Sequence, residues 1–416
     1  MPDETRAGPA AARQPRARRA VTRAAAGWTA AMRRSLSGGE LGSLPVTLVL
    51  AAVWIVFQCI NSAFLSPRNL SNLSVDIVGT GLIAVGIVFV LLLGELDLSV
   101  GSISGFAAAV FAVLSVNQGV PEWLALIAAV LTGTAAGTVQ GYSVARTRVP
   151  AFVVTLAGLL TWNGLMLAVL GTSGTVNLDE NGLIAHLTSY YFTNAGVAYA
   201  VAALATALVF LDSYLNRRRR RAVGMPHRPL RTIGVRTGVV AVIAFAAAYL
   251  LNQFQGLPLA LLIFLAVVAG LDIMLRRTSY GRRIYALGGS VEAARRAGLG
   301  VTGIQTAVLA VSGTLAATGG LFLASRITSV SQNSGSGVLL LNAIAAAVIG
   351  GTSLFGGRGT TWSAVLGILV IQSIASGMAL TDTPNAVQLV ITGGVLFAAV
   401  VIDSLSRHTQ QAHRRA

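Results

Sequence analysis

The sequence has 416 residues, 54% of them hydrophobic and only 11% charged, with a mean hydropathy of +0.73, where a soluble domain carries about 25% charge. Every one of its thirty basic residues is Arg, against fourteen acidic ones. The absence of Lys excludes a phosphate-loop lysine, Schiff-base chemistry and a lysine general base, and the composition as a whole is that of a membrane protein.

Residues 1–43 are rich in Arg, Ala and Pro and contain no apolar core that a cleavable signal would need, so they are expected to form a disordered cytoplasmic tail. After them the chain alternates between apolar runs and short polar breaks. A helix needs about 20 apolar residues to cross the hydrocarbon, and spans are predicted near 44–62, 75–93, 98–116, 123–144, 150–171, 196–214, 237–252, 258–275, 305–324, 338–354, 361–380 and 386–403. The expected class is therefore an all-α polytopic membrane protein of about twelve helices, with a cytoplasmic tail at 405–416. The run at 237–252 is short, and with its neighbour it reads either as two crossings or as a re-entrant hairpin.

With the N-terminus inside, only Arg68 and Arg326 fall outside, and every other Arg lies in the tails or in inside loops. This asymmetry orients the chain and accounts for the basic charge without nucleic acid. Cys59 stands alone, and His186, His227, His408 and His413 are too far apart to suggest a metal site.

Between the second and third spans lies Gly94-Glu95-Leu96-Asp97-Leu98-Ser99-Val100-Gly101-Ser102, which breaks an apolar run of about forty residues. Glycines allow a reversal here, and Asp97 or Ser99 is placed to cap the helix that follows. The alternative to a simple capped turn is a broken helix presenting backbone and a carboxylate inside a translocation unit. A related stretch lies 256 positions on, at Gly350-Gly351-Thr352-Ser353-Leu354-Phe355-Gly356-Gly357-Arg358-Gly359, and suggests two weakly related halves.

In the fourth span, Gly133, Gly137 and Gly141 recur every four residues, which predicts close helix packing inside the protein. The acidic residues Asp76, Glu95, Asp97, Asp212, Asp272 and Asp403 are all expected near span ends. That distribution counts against an ion-coupled carrier, which keeps an ionisable group near the midplane. Deeper positions are neutral: Trp54, Gln58, Thr155, Thr161, Trp162, Asn163, Asn342, Gln372 and Ser373. Amides and hydroxyls beside indoles suit a neutral polyol, although bonding to neighbouring helices is the commoner fate of such groups. The inside loop at 276–304 holds Ser290 as the cap of a short helix ended by Gly298, with Glu292 and Arg296 one turn apart and Gly288 and Gly289 ahead of it. It reads as a segment for docking into a partner's groove or, alternatively, as an interfacial helix.

Taken together, Phe64 to Leu73, Gly94 to Ser102, Val149 to Leu156, Gly281 to Gly289 with Glu292-Ala293, and Gly350 to Gly359 make the chain resemble the permease subunits of ATP-binding-cassette sugar importers of the ribose/xylose branch. Glu95, the Arg-rich insertion at 217–236 and the apolar pair at 237–275 resemble xylose permeases more than ribose ones. The resemblance implies a second permease copy, two cytoplasmic ATPase subunits that hold ATP and Mg, and an extracytoplasmic sugar-binding protein. It places ATPase coupling at Gly288, Gly289, Glu292, Ala293, Arg296 and Gly298. Gly94, Glu95, Asp97, Ser99, Gly101, Gly350, Gly351, Gly356 and Gly357 would shape the pathway's cytoplasmic side. No cofactor is expected on this chain, and no catalytic site, since its carboxylates are dispersed with no His beside them. An importer of a nucleoside or another small solute, and an ion-coupled carrier, stay open.

Overall fold

The computed structural model describes residues 44–395 apart from Arg148, Arg228 and Asn385, together with 397, 398 and 401. Both tails expected at 1–43 and 405–416 lie outside the described residues. In chain order the elements are α1 (Leu44–Ile60), α2 (Pro67–Leu92), α3 (Val100–Ala112, widened at Val113–Asn117), α4 (Glu122–Thr147), α5 (Ala151–Leu170), β1 (Thr175–Asn177), α6 (Leu183–Ser189), β2 (Tyr191–Phe192), α7 (Ala195–Ala222) and α8 (Leu230–Asn252). There follow β3 (Leu257–Pro258), α9 (Leu259–Arg277), α10 (Ser279–Gly289), α11 (Val291–Arg296), α12 (Val301–Ile327), β4 (Ser329–Ser331), α13 (Gly337–Ile349), α14 (Thr361–Ala379) and α15 (Ala386–Val395). The only strands among the described residues form two small antiparallel pairs, β1 with β4 and β2 with β3.

The centre of the bundle is α2. Its apolar window is 94% buried, against 11% for each of α7 and α8, so the first is wrapped by protein and the other two form a rim. Leu82, Val88, Phe89 and Leu91 on α2 are fully buried. The helix crossing of α12 over α4 follows from the glycine stripe: a Cβ on Gly133 or Gly137 would collide with backbone at Gly313 or Leu309, and one on Gly141 would lie 2.7 Å from Thr306 Cα. The stripe is an internal seam, as its spacing predicts.

Each predicted apolar run overlaps a described helix, but the run at 338–354 overshoots α13, which stops at Ile349, and the end of the run at 386–403 lies outside the described residues; several helices are longer than their runs. The start of α2 is at Pro67 and not near 75, because Ser66 accepts the Asn69 N–H (3.3 Å) and Pro67 occupies the first turn. Polar Arg68, Asn69, Ser71 and Asn72 hide that turn from hydropathy. Likewise α8 begins at Leu230 rather than 237 and reaches 23 residues despite Arg231 and Arg236. Nine described helices are long and apolar enough to cross a membrane, α8 and α9 among them, while α1, α13 and α15 are shorter.

Candidate functional site

Two interrupted segments meet in space. The first begins where α2 ends: Gly94 takes φ +79°, its N–H donates to Leu91 O (2.9 Å), and the Glu95 N–H donates to Val90 O (3.3 Å). This is a Schellman closure, in which a left-handed glycine lets the last carbonyls be satisfied. The second begins identically after α13, where Gly351 takes φ +101°, its N–H donates to Val348 O (2.9 Å), and the Thr352 N–H donates to Ala347 O (3.1 Å). The geometric partner of Gly94 is thus Gly351. The sequence offset instead pairs it with Gly350, which is the residue that caps α13 in a right-handed conformation.

Beyond their closures the segments touch. The Gly357 N–H donates to Leu92 O (2.9 Å), and a Cβ on Gly94 would sit 3.2 Å from Phe355 O. A Cβ on Gly356 (φ +87°) would stand 2.6 Å from Gly288 O and 3.0 Å from Gly94 N. Gly288, at the end of α10, lies against both segments, since a Cβ there would collide with Leu92 O. Tyr285 on α10 donates its hydroxyl to Gly359 O (2.8 Å). Three stretches singled out separately in the sequence therefore converge on one backbone junction. Gly288 is a half-buried contact point, because α10 is itself a helix packed on the bundle. Gly289 meets nothing within 4 Å.

Inside the first segment, Asp97 is buried and accepts from the Ser99 N–H (2.9 Å), the Ser99 hydroxyl (2.6 Å) and the Ser312 hydroxyl (3.2 Å). Two expectations change here. Neither Asp97 nor Ser99 caps α3 with its side chain, since Asp97 is used in a local turn. The other is depth: Asp97 lies between the ends of α2 and α3 as expected, yet its partner Ser312 lies about 17 Å along α12 at 1.5 Å per residue, so these ends stop beside the middle of another helix. Gly101, the second residue of α3, packs against the loop before α13, where a Cβ on it would lie 3.0 Å from Gly335 O.

The α11 helix matches its prediction. Ser290 accepts the Ala293 N–H (3.2 Å), Gly298 takes φ +77° to end the helix, and Glu292 pairs with Arg296 (3.3 Å) on the exposed face. Below it, Glu95 lines a cavity of about 600 Å³ with Arg146, Arg295 and Gln305, and Gln305 donates to Glu95 (3.4 Å). Burial raises the Glu95 carboxyl above its ordinary range, partly offset by hydrogen bonds involving Gln305 and the Ala151 backbone. On α10, burial pushes the Tyr280 phenol up to about 12, and burial likewise raises Tyr285, against the nearby Arg276 charge.

The deep neutral candidates divide into groups. Trp54 donates to Ser373 (2.9 Å) across α1 and α14. Gln58 accepts from the Leu65 N–H and donates to Ser62 O, so it braces the turn before α2. Thr155 is buried and donates to Leu96 O (3.2 Å), which ties α5 to the first reversal, and Trp162 stacks on Phe106 of α3 at 6.1 Å. Asn163 is exposed on α5, while Asn342 and Gln372 are half-buried on α13 and α14. Hydrogen bonding does not link all nine of these positions. Gln140, Ser312 and Gln305 belong to this region and carry no mark of it in the sequence, while Tyr285 falls inside the Gly281 to Gly289 stretch. Among the described residues no three metal-binding side chains converge.

Residues 69–400 match the family described as branched-chain amino acid transport system / permease component. The chain belongs to this permease family. Its relatives include the xylose transport system permease protein XylH of Escherichia coli (strain K12), 36% identical over 89% of this chain and 95% of that one. XylH of Haemophilus influenzae is 37% identical over 87% and 96%, and the ribose import permease protein RbsC of Bacillus subtilis (strain 168) is 30% identical over 88% and 94%. The permease thus falls in the ribose/xylose branch that its motifs resemble. No solved structure matches it.

Proposed function

We propose that this permease is the membrane-spanning subunit of an ATP-driven importer of a monosaccharide, a pentose such as D-xylose, in a bacterial inner membrane with both termini cytoplasmic. The reading takes 44–404 as the transport domain and 276–304 as its coupling loop. A second permease copy, cytoplasmic ATPase subunits carrying ATP and Mg, and an extracytoplasmic sugar-binding protein complete the machine. This chain does no covalent chemistry and binds no cofactor; it alternates between states that nucleotide binding elsewhere biases.

The observation that carries the proposal is the junction at Leu92, Gly288 and Gly357. A helix pair that docks on the ATPase through α11 is in backbone contact with both interrupted segments, so a tilt of α10 moves the ends of α2 and α3 and the turn before α14 together. Thr155 and Trp162 line the pathway beside the first segment, and Trp54, Asn163, Asn342 and Gln372 are further positions for sugar contact. The XylH and RbsC relatives support the sugar as cargo. Asp97 favours a second reading, an ion-coupled carrier, since its carboxylate lies at mid-helix depth; its three hydrogen bonds count against exchange with a travelling ion.

The test is uptake of labelled D-xylose and D-ribose into proteoliposomes holding the permease, its ATPase and its binding protein. Accumulation that needs ATP and survives a proton and sodium ionophore is expected, with D-xylose ahead. Accumulation abolished by ionophore and indifferent to ATP overturns the proposal in favour of the ion-coupled carrier.

A further inference from the structure

Four helices and one reversal meet around Gln140, whose hydrogen bonds do not balance with its amide in this orientation. The Ser99 hydroxyl faces two acceptors, Asp97 Oδ1 at 2.6 Å and Gln140 Oε1 at 2.9 Å, yet it has one hydrogen. On the other side of the same amide, Gln140 Nε2 and Trp162 Nε1 are both buried donors without a partner. They adjoin: a Cβ on Gly158 would collide with Gln140 Nε2 and lie 3.1 Å from Trp162 Nε1. Gln140 itself is 3% exposed, so bulk water does not settle these bonds, and buried polar groups left unpaired are costly.

The two ends of a primary amide have the same shape, and hydrogen bonding decides which is oxygen. Turned over, Gln140 donates from Nε2 to Ser99 Oγ, whose hydrogen then serves Asp97 alone, and its Oε1 accepts from the Trp162 indole. One rotation satisfies both orphaned donors and removes the double claim on the serine. Protonating Asp97 instead would let Ser99 turn toward Gln140, but it would leave two donors facing each other beside Gly158.

We infer that Gln140 is the positioning residue of a hydrogen-bonded relay, Trp162 to Gln140 to Ser99 to Asp97, that holds the indole on α5 in register with the first reversal and, through Ser312, with the middle of α12. The stacking of Trp162 on Phe106 of α3 fixes the indole plane, and the relay fixes its edge. Resting on the transport reading above, the relay makes Gln140 a link between the side chain over the sugar path and the segment that touches α10. Gly158 has no side chain because the amide occupies that space.

Ultraviolet resonance Raman difference spectra of the permease reconstituted with its ATPase and binding protein read the indole N–H directly. Gln140→Met, which keeps the shape and loses both bonds, is expected to shift one tryptophan's N–H band to the unbonded position, and the difference vanishes in a Trp162→Phe background. Its uptake falls about tenfold at unchanged membrane level. Gln140→Glu, whose acid form gives one hydrogen to Ser99 and accepts one from Trp162, recovers at least half of that loss. An unshifted indole band, wild-type uptake by Gln140→Met, or Gln140→Glu no better than Gln140→Met overturns the relay. The Raman shift stands or falls without reference to whether ATP drives uptake, so failure of the transport reading is separately visible.

Discussion

The two reversals open with the same backbone closure and then diverge. Between α2 and α3 the chain uses seven residues, and it spends a carboxylate and a serine on holding the turn together. Between α13 and α14 the path is four residues longer and is held by backbone: the Ser353 N–H donates to Arg358 O, Gly356 and Gly357 adopt positive φ, and Thr360 caps α14 by accepting the Ser363 N–H. The first is a polar knot buried among α4, α5 and α12, and the second is a glycine strap that lets other backbones approach. A tight turn inside a bundle can thus be stabilised by side-chain hydrogen bonds or by removing side chains altogether, and here each solution leans on the other at Leu92 and Gly357.

The comparison breaks most severely at the shared contact. Gly288→Val drives its Cβ into Leu92 O, so uptake in reconstituted vesicles is expected to fall about a hundredfold, the consequence of overpacking a closed junction. Gly270→Val on α9, with nothing within 4 Å, is expected to leave uptake within about twofold. Equal losses at 288 and 270 would show that the strap is not the transmitting contact.

Next in size is the knot itself. Asp97→Ala strands the Ser99 N–H and the Ser99 and Ser312 hydroxyls, which is expected to cost about 3 kcal/mol in thermal unfolding in nanodiscs. In the strap, Ser353→Ala strands only the Phe355 N–H and is expected to cost about 1 kcal/mol. Comparable values would mean that the two turns are held in the same way.

The shared closure gives a smaller and more even effect. Gly94→Ala and Gly351→Ala each force an L side chain into left-handed backbone, about 1 kcal/mol apiece. The smallest effect is that of pH at Glu95. Its folded carboxyl holds a proton at a pH where the unfolded one, near 4.5, has released it, so stability is highest below that value and declines as pH rises through the window up to the raised one. Glu95→Gln is expected to flatten that slope in thermal melts from pH 4 to 7.

Much of this site is legible one segment at a time. Gly94, Gly351, Gly356 and Gly357 are visible because glycine pairs inside apolar runs have few other uses, and Ser290 with Gly298 brackets α11 by the ordinary rules of helix ends. Gln140 and Ser312 are not visible, since a lone amide or hydroxyl in an apolar helix carries no mark of what it will face. The depth of Asp97 escapes the sequence for the same reason: distance along the chain from a span's end is not depth, once the span stops inside the bundle. The starts of α2 and α8 fall earlier than hydropathy places them because helix continues through polar residues that hydropathy discounts.

The sequence by itself determined that this is an Arg-only, helical membrane protein, that the glycine face of α4 is a packing seam, and that the chain breaks within 94–102 and 350–359, since hydrophobic periodicity, charge and glycine spacing are local properties. Tertiary structure alone decided that both breaks and Gly288 share one junction, and that Asp97, Ser99, Gln140 and Trp162 fall in line. The Ser99–Gln140, Asp97–Ser312 and Leu92–Gly357 contacts join residues 41, 215 and 265 positions apart, and such pairings are set by how helices cross, which no window of sequence contains.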